Sequence, residues 1–184
     1  MTVQINYKNS ATKKISANFI LFVDEKFNIS SLKKHVSNHE FSYISDLLKT
    51  TDTKKKLLVF AINSKKKIIL VSVKKNYLAK DVENLGAELF GKINNGKKSE
   101  YIINSDLINS KIENFLGHLL HGLKLKSYNF NKYKTKKESR LIIINVIGNK
   151  NKPSVQNQLK FKALEEGTFY TRDLVSEPGN VLHP

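Results

Sequence analysis

The stretch LLVFAINSKKKIILVSVKKNYLAKDVENLGAELF, residues 57–90, carries both periods from which an α/β fold is made. Leu57–Ile62 and Lys67–Val73 are short apolar runs and read as strands. The polar Asn-Ser-Lys-Lys between them reads either as a hairpin turn or as the edge of a longer connection. The period then changes. Leu78, Val82, Leu85 and Leu89 recur at spacings of three and four, which puts them on one helical face. Asp81 and Glu83 stand in the first turn, where the helix dipole favours negative charge. Asn94-Asn95-Gly96 stops this helix.

The same alternation extends both ways. Val3–Tyr7 alternates as a strand, and Ala17–Asp24 is a continuous apolar run that predicts burial on both faces. Ser30 to Thr50 reads as one helix, with Phe41, Ile44, Leu47 and Leu48 on one face. Glu100–Asn104 is a short strand. The next helix carries Ile108, Ile112, Phe115, Leu119, Leu120 and Leu123, and Ser110 with Glu113 has capping-box spacing, so its regular part is expected from Ser110. Leu141–Gly148 reads as a central strand. The final helix follows Lys152-Pro153, with Pro153 in the first turn, and ends at Glu177 because Pro178 disfavours helical geometry there. Its Val155, Leu159, Ala163, Gly167, Tyr170 and Leu174 share a face, and the small Ala163 and Gly167 would let a neighbour approach closely. The fold class is therefore α/β, a mixed, largely parallel sheet flanked by helices.

At 184 residues the chain has room for one domain and a linker, and 40% hydrophobic content supplies a core. The longest apolar runs, FILFV and IILVSV, are strand-sized, far from the roughly 20 residues of a membrane-spanning helix. The N-terminus lacks the basic and apolar regions of a secretory signal. Without cysteine there is neither a disulfide framework nor a thiolate metal site. These features predict a cytoplasmic protein. The net charge of +16 raises the question of a polyanionic partner. Only Arg140 and Arg172 are arginines, however, whereas nucleic-acid readers favour arginine for its planar, bidentate grip. A solvated lysine surface is the favoured reading, with nucleic-acid binding as its rival.

Candidate chemistry is sparse. No Gly-rich phosphate loop of standard spacing is present, and the turn VIGNK (146–150) after a strand is a weak anion signal. His118 and His121 could share a helical face but lack a carboxylate at metal-site spacing, since Glu113 is better explained as a cap. His35 and His39 read as surface residues. Glu165 and Glu166 are expected on the solvent side of the last helix. Asp173 and Glu177, four apart at its end beside Arg172, could hold a metal, but structural locking explains them better. No Ser, His and Asp set suggests a nucleophile. No catalytic, cofactor-binding or metal-ligating residue is assigned.

The ending FYTRDLVSEPGNVLHP (169–184) resembles the segment joining the two domains of the leucine aminopeptidase family, the cytosolic metallo-aminopeptidases. Members carry a close relative of Arg-Asp-Leu-Val-Asn-Glu-Pro-x-Asn-x-x-x-Pro. Arg172, Asp173, Leu174, Val175, Glu177, Pro178, Asn180 and Pro184 match, while Ser176 replaces the usual Asn. Upstream, SYNFNKYKTKK (127–137) is similar to the family's Tyr-x-Phe-x-x-Tyr-Lys stretch through Tyr128, Phe130, Tyr133 and Lys134. Residues 1–110 match mainly in layout, and VSVKKN (71–76) departs from the family's Gly-rich turn. The resemblance implies a macro-domain-like N-terminal domain over 1–177, with 178–184 opening the linker to a catalytic domain. It further implies that two divalent metals (Mn or Zn) and the catalytic lysine and arginine belong to that second domain. The implied partners are that domain and a homo-hexamer, with this segment alone monomeric and inactive. A nucleotide or nucleic-acid binding module is the rival class.

Overall fold

A computed structural model describes residues 2–8, 18–93, 98–135, 140–179 and 181. Among them six strands form one sheet: β1 Thr2–Tyr7, β2 Asn18–Val23, β3 Leu57–Ala61, β4 Lys67–Ser72, β5 Lys98–Asn104 and β6 Leu141–Ile147. Their order is β1-β6-β5-β2-β4-β3, and every pairing is parallel except β3 with β4. The mixed, largely parallel sheet expected from the alternation of periods is thus present. The β3–β4 connection is the hairpin: Ile62 N–H donates to the Lys66 carbonyl, and Asn63 Oδ1 accepts from the Lys65 and Lys66 N–H groups.

Four helices flank the sheet among the described residues: α1 Asn38–Thr50, α2 Ala79–Ile93, α3 Phe115–Lys126 and α4 Val155–Ser176. Successive strand residues point to opposite faces, so the apolar residues of β2 and β4 divide between two cores. Ile20, Phe22, Ile69 and Val71 join Val82, Leu85 and Leu89 of α2 and Phe115, Leu119 and Leu123 of α3. Leu21, Val23, Ile68 and Leu70 join Leu32 and Ile44 on the α1 side. Burial of β2 on both faces follows the expectation from its unbroken apolar run.

Helices α2 and α3 meet at two glycines. A methyl group on Gly86 would lie 2.0 Å from the Leu119 carbonyl oxygen, and one on Gly122 would lie 2.0 Å from that of Glu83. Only hydrogen fits at these positions, so the backbones themselves form the contact.

The structure corrects several expected boundaries. Residues 30–50 are not one helix: a 3-10 turn at Ser30–Lys34 precedes α1. Ser37 starts α1, its side chain accepting from Glu40 N–H while the Glu40 carboxylate accepts from Ser37 N–H, a full capping box. Glu40 is buried and pairs with Lys66 at 2.5 Å. Burial opposes its charge, but the Lys66 and Ser37 hydrogen bonds prevail, and its pKa lies below the ordinary carboxylate value.

Leu78 lies just before α2 and is 60% exposed rather than buried with Val82, Leu85 and Leu89. Ser110 does not open α3: its hydroxyl accepts from Ile112 N–H in a local turn, and α3 begins after Asn114, which adopts a left-handed φ of 54°. Glu113 is accordingly no cap; Asn114 Nδ2 reaches its carboxylate at 3.5 Å. Pro153 precedes the cap of α4 rather than lying in its first turn, since Ser154 is the N-cap and accepts from Asn157 N–H. The stop expected at Asn94–Gly96 lies outside the described residues.

Candidate functional site

Two stretches singled out by the resemblance lie against each other in the structure through their described residues, 127–135 and 169–179. Helix α3 ends at Lys126 and leaves orphan carbonyls in its last turn. Arg172 Nη1 donates to one of them, the Leu125 carbonyl, at 2.7 Å. The Arg172 guanidinium also lies 5.5 Å from the centre of the Tyr128 ring. The Tyr128 hydroxyl donates to Asp173 Oδ1 at 2.8 Å, and its ring packs on Phe169 at 5.5 Å. Desolvation and the Asp173 carboxylate together raise the Tyr128 pKa, while a hydrogen bond to Ser176 opposes them. Ser176 thus retains a polar contact although it replaces the family's Asn.

One turn on, Glu177 accepts hydrogen bonds from both Lys132 Nζ and the Tyr133 hydroxyl. These two donors hold its carboxyl below the ordinary range, and the same contacts raise the pKa of both Lys132 and Tyr133. Phe130 backs the group, its ring 5.8 Å from that of Tyr133. Glu177 leaves the helix in extended geometry (φ −68°, ψ 140°), with its N–H on the Leu174 carbonyl, and Pro178 follows. The arrangement is a clasp that ties the exit of α4 to the chain leaving α3. Both Asp173 and Glu177 are engaged in this lock, as their spacing beside Arg172 leads one to expect.

A second polar group lies under the middle of α4. Glu165, expected at the surface, is buried at 5% exposure, whereas Glu166 is exposed as expected. Its Oε1 faces His121 Nδ1 at 3.2 Å and its Oε2 faces Lys124 Nζ at 3.0 Å. The α4 apolar stripe does not take the inner side, so Glu165 occupies it and meets His121 and Lys124 of α3. Burial and the Glu165 charge push the Tyr7 phenol up to about 12. These groups line a small cleft of about 240 Å³ with Phe161, whose ring lies 5.2 Å from that of His121 and 5.1 Å from that of His118. His118 Nδ1 meets Glu83 of α2 at 2.8 Å, so the two histidines face separate carboxylates. His35 and His39 are exposed, with His35 Nδ1 3.1 Å from Asn104 Nδ2. His183 lies outside the described residues.

A third feature is a crevice of about 790 Å³ beyond the carboxyl ends of β2, β4 and β5. The chain leaves β2 toward α1 and leaves β5 toward α3 on the other face, so this is a topological switch point, the usual ligand position of open α/β sheets. Its polar groups are largely used by its own loops. Asp24 Oδ1 accepts from the Lys26 and Asn28 N–H groups, Glu25 from Lys75 N–H, and Asp106 Oδ1 from Asn149 and Lys150 N–H. The VIGNK turn is therefore closed onto Asp106. Among the described residues no group of three or more His, Cys, Asp or Glu is placed to hold a metal ion. No described helix is long and apolar enough to cross a membrane.

No sequence signal pointed to Lys132, because its partner lies 45 residues away. The Glu165 cluster could have been found from the helical wheel, as Glu165 stands opposite the apolar stripe.

Comparison with known proteins bears on this arrangement. No family model matches the chain. A probable cytosol aminopeptidase of Clostridium perfringens is 27% identical over 195 residues, covering 96% of this chain and 38% of the relative. Among solved structures, a mutant of tomato leucine aminopeptidase superposes with a TM-score of 0.68 at 14% identity, over 100% of this chain and 40% of the neighbour. A bottromycin maturation enzyme, BotP, in complex with Mn gives 0.60 at 14% identity, over 92% and 34%. The chain spans about two fifths of the length of the first two. The resemblance read from the chain's ending is borne out: the chain is related to the cytosol and leucine aminopeptidases, and its extent fits an N-terminal domain of that family.

Proposed function

We propose that this chain is the non-catalytic N-terminal domain of a cytoplasmic, metal-dependent leucyl aminopeptidase, with residues 1–177 as the domain and 178–184 opening a linker to the catalytic domain. The observation that carries the reading is one of proportion: nearly all of this chain matches about two fifths of an aminopeptidase. The clasp supports it. Glu177 and Pro178 are held where the chain would turn toward the next domain, so the clasp would set the angle between the two. A macro-domain-like ancestry fits the same fold.

In such an enzyme two divalent metals, Mn or Zn, would bind the peptide's amino group and polarise the first carbonyl. The described residues do not fit these metals, because the one suggestive pair, Asp173 and Glu177, is already bound to Tyr128, Lys132 and Tyr133. This chain is given no step in the chemistry. Its contribution would be to assembly and to access, in a homo-oligomer such as a hexamer.

The purified chain, assayed with Leu-p-nitroanilide and manganese, is expected to show no turnover above buffer. Metal-dependent hydrolysis that co-purifies with the chain and vanishes with chelator would refute the non-catalytic reading.

A further inference from the structure

The sheet ends in two outer strands, β1 and β3. Helix α4 lies near the first, where Ile5 and Tyr7 share a cleft with Phe161 and Glu165. β3 is at the other end of the sheet. Four strand spacings separate it from β6, the strand that leads into α4, a distance of about 19 Å. The β3 edge is thus remote from the clasp at Glu177 and Pro178.

Antiparallel neighbours exchange hydrogen bonds at every second residue. The Lys56 carbonyl accepts from Ser72 N–H, and Ile62 N–H donates to the Lys66 carbonyl, so Leu58 and Phe60 between them bond inward to β4. Leu57, Val59 and Ala61 therefore turn their N–H and C=O groups to the open edge. Tyr43 of α1 agrees with this sense, because its hydroxyl reaches the Ala61 carbonyl from outside, donating at 3.3 Å. Among the described residues nothing else pairs with these edge groups. Val59 is 41% exposed. A groove of about 420 Å³ runs beside the strand, bordered by Tyr43 and Leu47 of α1. A bare edge beside a groove is a template for one more strand.

Charge selects the occupant. Edges are often guarded by lysine on the strand itself. Here the exposed positions carry Val59 and Ala61, and the lysines stand at the two ends instead, Lys54 and Lys55 before the strand and Lys65 and Lys67 after it. Lys56 and Lys66 pair with Glu88 and Glu40, but these four have no ion pair among the described residues. A second β3 laid antiparallel would bring Lys54 and Lys55 beside its neighbour's Lys65 and Lys67. Laid parallel, it would bring each lysine beside its own counterpart. Like charge opposes self-pairing in either sense, whereas a segment acidic at both ends is attracted at both.

We propose that the β3 edge binds an acidic, extended peptide segment of a partner protein by strand addition. The outward groups of Leu57 and Val59 and the Ala61 N–H supply the hydrogen bonds. The groove along α1 takes alternate side chains, and the lysines select the charge. The inference goes beyond the aminopeptidase reading and does not depend on it. The open stretch is short and its ends are exposed, so the complex is weak and salt-sensitive.

The whole chain is titrated into a fluorescein-labelled peptide, Asp-Glu-Val-Thr-Val-Thr-Val-Asp-Glu, and anisotropy is read. It is expected to bind at least about tenfold more tightly than the same core flanked by lysines. Backbone pairing is read separately, by methylating the nitrogens of either the valines or the threonines. One of these peptides loses binding and the other keeps it, because only alternate residues face β3. Val59→Pro removes an edge donor and none of the bonds to β4, so the chain folds and the acidic peptide binds about fivefold more weakly or worse. Lys54→Glu, Lys55→Glu and Lys65→Glu together, all at exposed positions, reverse the preference to the lysine-flanked peptide. Equal binding of the two methylated peptides would overturn the proposal. So would no binding at all, unchanged affinity in the folded Val59→Pro variant, or an acidic preference that survives the triple reversal.

Discussion

Helices α2 and α3 meet backbone to backbone, whereas α4 reaches α3 through the ends of side chains. At the first contact Gly86 and Gly122 leave no room for a single methyl group. At the second, Phe161 leans on Gly117, Glu165 reaches His121 and Lys124, and Arg172 reaches the Leu125 carbonyl. The first contact is largely apolar, built from Val82, Leu85, Leu89, Leu119 and Leu123 at 0% exposure, with the His118–Glu83 pair at its edge. The second is polar, and Glu165 is the only residue of α4 that is fully buried. A helix held in this way is fastened to its domain without using its apolar face.

The contrast can be broken at either contact. The largest effect is expected at the glycines. Gly122→Leu drives side-chain atoms into the Glu83 backbone, which cannot give way. It should cost about 3 kcal/mol or more in urea unfolding, or prevent folding altogether. The same change at Gly167 should not destabilise and should raise the unfolding midpoint slightly, because it removes a glycine from an open helical position. If the two variants behave alike, the two contacts do not differ as described.

Next comes the polar anchor of α4. Glu165→Ala removes the acceptor of His121 and Lys124 in a buried setting, and should cost about 2 kcal/mol in the same measurement. Glu166→Ala, one residue on and exposed, should stay within about 0.5 kcal/mol of the parent. Equal losses would show that burial of Glu165 contributes nothing.

The clasp should act locally. Tyr133→Phe or Glu177→Gln should speed amide exchange in the last turns of α4 while leaving global unfolding unchanged. Acidity should do the same. The Glu177 pKa is lowered by Lys132 and Tyr133 in the folded chain. Its stabilising contribution is thus fully present above the ordinary carboxylate pKa and is lost as pH falls through the lowered value. Exchange at residues 173–177, corrected for intrinsic rates, should therefore accelerate below that range and be flat above it. A constant corrected rate would remove Glu177 from the clasp.

The smallest effect sharpens the comparison from the other side. Gly167 lies in open space within a helix, so Gly167→Ala should stabilise by about 0.5–1 kcal/mol in the same urea unfolding.

Much of the architecture was legible from period alone. The unbroken apolar run of β2 announced a strand buried on both faces, that of β4 a strand, and the three-four spacing of Val82, Leu85 and Leu89 announced α2. The errors arose where local hydrogen bonding competes with period. Ser37 with Glu40 has capping-box spacing and restarts a helix inside 30–50. Ser110 with Glu113 has capping spacing, yet Ser110 Oγ turns to Ile112 N–H, because Asn114 in left-handed geometry sets the true start of α3.

Glu165 of α4 departs from the expected solvent side for a different reason. The apolar stripe of this helix was genuine, but a stripe does not say whether its partner lies in the same chain. The clasp was legible only as a pair of motifs. That Tyr128 meets Asp173, and that Tyr133 and Lys132 meet Glu177, follows from tertiary placement of segments 44–45 residues apart.

The central claim is that α4 is fixed by its polar side and presents its apolar side outward. Hydroxyl-radical footprinting of the chain at submicromolar concentration tests it most directly. Corrected for intrinsic reactivity, Leu159 and Tyr170 should be oxidised at rates comparable to exposed Tyr133, while Phe115, Leu119 and Leu123 remain protected. Protection of Leu159 and Tyr170 to the level of Leu119 in the dilute monomer would contradict it.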